Sequence, residues 1–243
     1  MESENKRVYV IAIVFGLLFG GIVLGWFLLN RFHVFGDEYP RRFYRAVIFD
    51  QGGVLVPFRG ENDLEIFTNH LIQNPVDRQA YFDCEKGITT FEDIPKILEM
   101  IFPEISQVKD FESQNISNFT RPVNQDIIRA AQLIKQAGLK IAVLSNNYYW
   151  SHKRERTFLI DEANQFDVVV ESCRVGMRKP NSKIYELTAK KLDVDPEECI
   201  MVDDVMSNLQ GAKSVNMATV FLPNDNTTGA IDELERMLNM KLR

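Results

Sequence analysis

The feature that most constrains this chain is an apolar run that ends in an aspartate and two glycines, Ala46-Val47-Ile48-Phe49-Asp50-Gln51-Gly52-Gly53. A short unbroken apolar run is typical of a strand buried on both faces, as in a parallel sheet covered by helices. Asp50 then lies at the carboxyl end of the strand, where open α/β sheets bind ligands. On this stretch alone, an ordinary strand closed by a turn is the competing interpretation.

The same arrangement recurs along the chain, because further apolar runs also end in polar side chains. The predicted strands are residues 141–144, followed by Ser145 and Asn146; 167–170; 199–202, followed by Asp203 and Asp204; and 219–222. Helical periodicity predicts helices between them, at residues 124–137, 182–192, 209–215 and 231–238. Alternating strands and helices predict an α/β fold, a Rossmann-like doubly wound parallel sheet.

Parallel strands place all of these carboxyl ends on one edge of one sheet. The loop 176–181 supplies Arg178 and Lys179, which by themselves would be interpreted as surface cations. Carboxylates, a lysine and a hydroxyl on one edge indicate a site for a hard divalent cation and an anion.

Two segments interrupt this pattern. Residues of about 60–121 show helical spacing and no strand of comparable strength, which predicts a helical insert after the first strand, with its aromatic residues forming its own core. Residues 8–29 form a run of 22 residues without a charged side chain, long enough to span a bilayer. A cleaved signal peptide is disfavoured because the run is long and lacks a small-residue cleavage site. We therefore predict a transmembrane anchor at 1–30, a juxtamembrane linker at 31–45 and an α/β domain at 46–243, with the helical insert at about 60–121.

Charge suggests how the chain is oriented and what it does not bind. Basic residues are more numerous after the span than before it, which favours a single-pass membrane protein with a cytoplasmic carboxyl-terminal domain. The Gly16–Gly20 spacing is one that membrane helices use to pair, which leaves a homodimer open. A formal net charge of −6 argues against a general nucleic-acid binder.

Four motifs in order resemble those of the haloacid dehalogenase-like (HAD) superfamily of phosphotransferases. They are the stretch beginning at Phe49-Asp50, then Leu144-Ser145-Asn146, Gly176-Met177-Arg178-Lys179-Pro180, and Val202-Asp203-Asp204 with Asn208. Within the superfamily, residues 171–180 and 230–235 particularly resemble the amino-terminal phosphatase domain of soluble epoxide hydrolase and the similar domain of a large acyl-CoA dehydrogenase. The resemblance also implies that the helical insert is a cap over the site.

The resemblance implies a role for each matching residue. Asp50 is the expected nucleophile, forming an aspartyl-phosphate, and Mg²⁺ is the expected cofactor. The expected metal ligands are Asp50, the backbone carbonyl of Gly52, Asp203 and Asp204.

Phosphate is expected to be bound by Ser145, Asn146 and Lys179, with Lys179 also neutralising charge during catalysis. The implied activity is that of a phosphoric monoester hydrolase acting on small phosphorylated metabolites. A lipid phosphate would suit a membrane-anchored enzyme.

One position departs from the family pattern. Most phosphatases of the superfamily carry a second aspartate two residues after the nucleophile, as the general acid, and here that residue is Gly52. A positioned acid contributes roughly 10²–10⁴-fold to the rate. The alternative interpretation is therefore a catalytically weak or inactive binding or scaffold protein at a membrane.

Overall fold

The structure, a computed structural model, describes residues 43–57, 63–100, 106–111, 122–223 and 226–243. The predicted transmembrane run 8–29 and most of the predicted linker lie outside these residues. Among the described helices, none is both long and apolar enough to cross a membrane. The predicted membrane anchor and domain boundaries therefore stay predictions.

Five parallel strands form a single sheet in the order β3-β2-β1-β4-β5. They are β1 (Ala46–Phe49), β2 (Lys140–Ser145), β3 (Val168–Glu171), β4 (Cys199–Asp203) and β5 (Ala218–Phe221). All five predicted strands are present, within a residue or two of their predicted ends. Strand β1, which leads into Asp50, is central, so its carboxyl end has a neighbouring strand on each side.

The central strand β1 is buried on both faces, which explains its unbroken apolar sequence. Val47 and Phe49 belong to one hydrophobic core, and Ala46 and Ile48 belong to another. Successive side chains of a strand point to opposite faces, so these four residues serve two cores.

Helices cover both faces of the sheet, and three further helices lie between β1 and β2. They are α1 (Asp63–Gln73), α2 (Pro75–Glu85), α3 (Pro95–Leu98), α4 (Gln125–Gln136), α5 (Ser172–Val175), α6 (Ser182–Leu192), α7 (Met206–Lys213) and α8 (Thr227–Leu238), with 3₁₀ turns at Phe91–Asp93, Asp161–Gln165 and Pro196–Glu198. The core helices α4 and α6 match their predicted positions, whereas α7 and α8 begin three and four residues earlier than predicted.

The described helices between residues 63 and 98 form the cap. Its helical character is as predicted, but the segment after Thr90 is not one continuous helix. Instead, Phe91–Asp93 is a 3₁₀ turn and α3 restarts at Pro95, whose ring and missing N–H favour the first turn of a helix. Thr90 and Asp93 form a capping box at the start of the 3₁₀ turn.

The prediction that the cap's aromatic residues form their own core was wrong. Phe91 is fully buried, and its ring stacks on Tyr148 and Trp150 with centroids 5.1 and 5.3 Å away. Phe158 lies 4.6 Å from the same ring. These three partners follow β2 in sequence, so one aromatic cluster joins the cap to the sheet domain.

Candidate active site

Sheet register brings two aspartates together at the carboxyl edge. Phe49 of β1 pairs with Val202 of β4, so Asp50 and Asp203 are the next residues on neighbouring strands. The Asp50 backbone N–H donates to the Val202 carbonyl at 2.9 Å, which continues the ladder beyond β1. The positions of both carboxylates are therefore fixed by backbone pairing.

Lys179 bridges these two aspartates and has no solvent-exposed surface. Its Nζ lies 2.8 Å from Asp50 Oδ2 and 2.7 Å from Asp203 Oδ2. The Asn146 side chain fixes this lysine's backbone, because its Oδ1 accepts from the Lys179 N–H at 2.8 Å and its Nδ2 donates to the Lys179 carbonyl at 3.2 Å. The interpretation of Lys179 as a surface cation, which its loop alone suggested, is excluded.

Asp203 accepts hydrogen bonds from two further donors besides the lysine. Its Oδ1 accepts from the Val205 N–H at 2.8 Å and from Asn208 Nδ2 at 3.0 Å. Asn208 also donates to Asp203 Oδ2 at 3.2 Å. The carboxylate therefore keeps one orientation, and Asn208 has a positioning role at this edge.

Asp204 completes a cluster of three carboxylates with Asp50 and Asp203. One oxygen from each lies within 4.8 Å of the other two. Gly53 packs directly against this cluster with a φ of +74°, and a Cβ there would lie 2.3 Å from Asp204 Oδ2. Only glycine combines this backbone conformation with such a close approach.

Burial and mutual repulsion disfavour the ionised forms of the clustered carboxylates. Burial raises the pKa of Asp50 well above its usual range, the charge of Lys179 opposes this rise, and Asp203 and Asp204 add to it. Burial, with Asp203 beside it, raises the pKa of Asp204 to about 7. One lysine thus faces three acidic groups.

This set of groups fits a hard divalent cation. Magnesium ions prefer oxygen ligands, bind through one or two carboxylates and keep water or substrate oxygens in the remaining positions. A cation at the cluster would favour the ionised forms that burial opposes. Asp50, Asp203 and Asp204 are the side chains placed to hold it.

A cavity of about 580 Å³ opens over this edge and reaches the cap. Asp50, Gly52, Ser145, Asn146 and Asp204 line it. No hydrogen bond from a described side chain occupies Ser145 Oγ, so this hydroxyl is available to a ligand. All seven residues predicted at the site thus either line the cavity or lie in the carboxylate cluster with Lys179.

The cap side of the cavity is largely aromatic and aliphatic. Its apolar and aromatic lining comes from α1, α2 and the segment after β2: Phe67, Leu71, Tyr81, Phe82, Tyr148 and Phe158. The cap and the sheet edge therefore form one cavity, with the carboxylate cluster at the sheet edge and a mainly apolar lining at the cap.

Sequence reasoning missed the ion pair between Glu85 and Arg178, both of which line the cavity. Glu85 is the last residue of α2, and Arg178 immediately precedes Lys179. Burial raises the pKa of Glu85, and the facing charge of Arg178 opposes that rise. The two residues are 93 positions apart, so no local pattern could have paired them.

Comparison with known proteins identifies one family. The family model of haloacid dehalogenase-like hydrolases matches residues 44–216. The resemblance found from four short motifs is thereby confirmed.

Three curated relatives show how the match is distributed. Acyl-CoA dehydrogenase family member 10 of Mus musculus is 34% identical over 83% of this chain, and bifunctional epoxide hydrolase 2 of Sus scrofa is 32% identical over 82%. The chain spans only 20% and 39% of the lengths of these two proteins. A phosphorylated carbohydrates phosphatase of Thermotoga maritima is 24% identical, with 72% of this chain and 83% of that protein covered.

Proposed function

The chain belongs to the haloacid dehalogenase-like hydrolases, and from that premise we propose that it is a Mg²⁺-dependent phosphatase that uses Asp50 as its nucleophile. The observation that carries the proposal is the position of Lys179 between Asp50 and Asp203, with Asp204 beside them. Relatives that are named phosphatases support the reaction class.

In the proposed reaction, an Asp50 oxygen attacks the phosphorus of a monoester as the bond to the alcohol oxygen breaks. The alcohol takes up a proton and leaves, and an aspartyl-phosphate remains. Water then attacks this phosphorus, which releases inorganic phosphate and restores the carboxylate. Lys179 balances negative charge on Asp50 and on the phosphoryl oxygens throughout.

Phosphate binding is assigned to Lys179, to the Ser145 hydroxyl and to the backbone near Asn146. The Asn146 side chain is already bonded to Lys179, so its contribution would be to hold the lysine in place. Asp50, Asp203, Asp204 and the Gly52 carbonyl would hold Mg²⁺, which when bound supplies positive charge to the phosphoryl oxygens.

The alternative function is that of a binding or scaffold protein with little turnover. Gly52 supports this alternative because a glycine cannot donate a proton to the leaving group. Substituting an acid there separates the two possibilities. In Gly52→Asp we expect turnover of an alkyl phosphate, a poor leaving group, to rise by about 10²-fold, whereas Gly52→Asn should give no such rise. Equal effects of the two substitutions would show that the missing acid does not limit the protein.

We also propose that residues 8–29 anchor the protein in a membrane with the catalytic domain on the cytoplasmic side. The length of the apolar run and the surplus of arginine after it support this arrangement. A membrane-bound substrate such as a lipid phosphate would then reach the cavity without leaving the surface, and small soluble phosphate esters are the other candidate substrates. Protease protection of sealed vesicles tests the orientation.

The deciding experiment is phosphate release by the purified full-length chain. We expect turnover of an activated aryl phosphate with Mg²⁺, and loss of that turnover both with EDTA and in Asp50→Asn. Turnover that persists in Asp50→Asn would refute the proposed nucleophile. A folded protein with no turnover on any ester would instead favour the binding role.

A further inference from the structure

Arg178 lies next to Lys179 in sequence but in a different place in the cavity. Lys179 is fully buried among the carboxylates, whereas the Arg178 side chain is 21% exposed and lines the cavity wall. The catalytic cluster does not use Arg178, and its partner Glu85, 4% exposed, comes from the cap.

The cap holds the Arg178 guanidinium in one orientation by two contacts from α2. Nε donates to Glu85 Oε2, and Cζ lies 3.9 Å from the centroid of the Phe82 ring, within the range of a cation–π contact. Neither Nη of Arg178 is bonded to an acceptor within the described part of the chain. The edge that carries the two Nη groups is therefore held in place with its donors unused.

An unused guanidinium edge matches a planar anionic group, because two parallel N–H donors meet the two oxygens of a carboxylate. Apart from Thr68 and Arg78, the remaining cap residues that line the cavity are aromatic or aliphatic and favour an apolar body. The wall thus combines an arginine held in a fixed orientation with a mainly apolar surface, to which α2 also contributes Arg78.

We propose that Arg178, held by Glu85 and Phe82, is a specificity-determining residue that binds a carboxylate on the alcohol part of the substrate. This inference rests on the proposed phosphatase function. The preferred substrate class is then a phosphate ester of an apolar alcohol that carries a carboxylate away from the ester.

Two matched phosphate esters test the proposal with the full-length chain and Mg²⁺. One is hexyl phosphate, and the other is the same ester with a carboxylate at the far end of its chain. We expect kcat/KM to favour the carboxylate ester by about tenfold to a hundredfold, the range for a hydrogen bond to a charged group.

The choice of variants for this test depends on the buried charge of Glu85. Removing Arg178 alone would leave that carboxylate unpaired, so the test variant is Glu85→Gln/Arg178→Met, which removes both charges. Its preference should fall to about twofold or less, because the guanidinium that donates to the substrate carboxylate is gone. Glu85→Gln alone keeps the guanidinium without its counter-charge, and it should increase the preference.

A matched control is available in the pair of Arg174 with Glu171. Arg174 Nε lies 2.5 Å from Glu171 Oε1, Glu171 is 4% exposed, and neither residue lines the cavity. Glu171→Gln/Arg174→Met should leave the preference ratio as in the wild type. A preference that survives in the Glu85/Arg178 double variant, or falls equally in this control, would overturn the assignment.

Binding of the two corresponding phosphonates, which cannot be hydrolysed, separates this inference from the proposed function. If no ester is turned over but the carboxylate phosphonate binds more tightly and loses that advantage in the double variant, the role of Arg178 stands and the phosphatase proposal fails. If both esters are hydrolysed equally and both phosphonates bind equally, the phosphatase proposal stands and the role of Arg178 fails.

Discussion

The carboxyl edge of the sheet and the cap build opposite ends of one cavity, and they do so by different means. At the edge, strand register places Asp50 and Asp203, and Lys179 joins them by two short contacts. On the cap side, stacked rings around Phe91 hold the wall together, and Glu85 forms an ion pair with Arg178 in the cavity wall. Backbone pairing fixes positions more tightly than ring packing, which suits chemistry at the edge and selectivity at the cap.

Lys179→Met should produce the largest effect if the edge works as one charge-balanced unit. Loss of the cation leaves buried carboxylates unpaired, so we expect the free energy of unfolding to fall by about 3–5 kcal/mol. Loss of charge stabilisation in the reaction should lower kcat by about 10²–10³-fold. Urea unfolding and aryl phosphate kinetics at saturating Mg²⁺ measure both effects.

The matched control for that substitution is Lys183→Met, at an exposed position near the start of α6. It should change neither quantity measurably. Equal stability of the two variants would mean that Lys179 is not needed to balance the carboxylates.

Phe91→Ala tests the cap in the same way. The ring is fully buried among Tyr148, Trp150 and Phe158, so its removal should cost about 3–5 kcal/mol. Because the edge is held separately, kcat for a small aryl phosphate should fall much less than in Lys179→Met.

Fluorescence of Trp150 reports this unfolding directly, provided that Trp26, the other tryptophan of the chain, is replaced by Phe in every variant. Phe221→Ala is the control, since that ring is 41% exposed on β5. A loss of kcat as large as that of Lys179→Met would show that the cap and the edge are not separable.

Gly53→Ala should have a smaller effect that is confined to the metal site. The positive φ costs about 1–2 kcal/mol for any residue with a Cβ. The added Cβ also displaces Asp204, and we expect the Mg²⁺ concentration for half-maximal activity to rise by about 10–100-fold. Gly138→Ala has the same kind of backbone strain, with φ +89° and no atom within 4 Å, so it should lose stability without losing Mg²⁺ affinity.

The same contrast explains what could be predicted from the sequence. Asp50, Ser145, Asp203 and Asp204 were predictable as one group because each follows a buried strand, and parallel strands share one edge. Local sequence carries that information. For Lys179, the loop alone predicted a surface cation. The recurrence of strand ends indicated a lysine at the shared edge and the family resemblance gave its role, but its full burial depends on two carboxylates distant in sequence.

The cap was predictable as helical but not in its contacts. Its periodicity located α1, whereas the partners of Phe91 lie after β2, beyond the reach of any helical pattern. The pair Glu85–Arg178 was hidden for the same reason. Apolar and charged side chains that meet across the fold leave no periodic signal in sequence, so the selectivity of the cavity was less predictable than its chemistry.

The smallest expected effect concerns an exposed link between the cap and the sheet domain. His152, in the segment after β2, places Nε2 2.7 Å from Asp93 Oδ1 and contacts Glu92 through Nδ1. The hydrogen bond to Asp93 raises the pKa of His152, with Glu92 adding to the rise and Arg154 opposing it. A group whose pKa is raised by folding stabilises the protein fully below its unfolded pKa, about 6.5, and loses this contribution as pH rises through its folded pKa.

The melting temperature of the wild type should therefore exceed that of His152→Gln below about pH 6.5, and the difference should shrink as the pH rises above that value. His70→Gln is the control, because His70 contacts Asp77 within the cap and does not link it to the sheet domain. A difference for His152→Gln that stays constant with pH would show that the link acts through packing rather than charge. Exposed ion pairs are weak, so we expect the pH-dependent difference to be small. A small difference of this kind would mean that the aromatic cluster, rather than this contact, mainly holds the cap to the sheet domain.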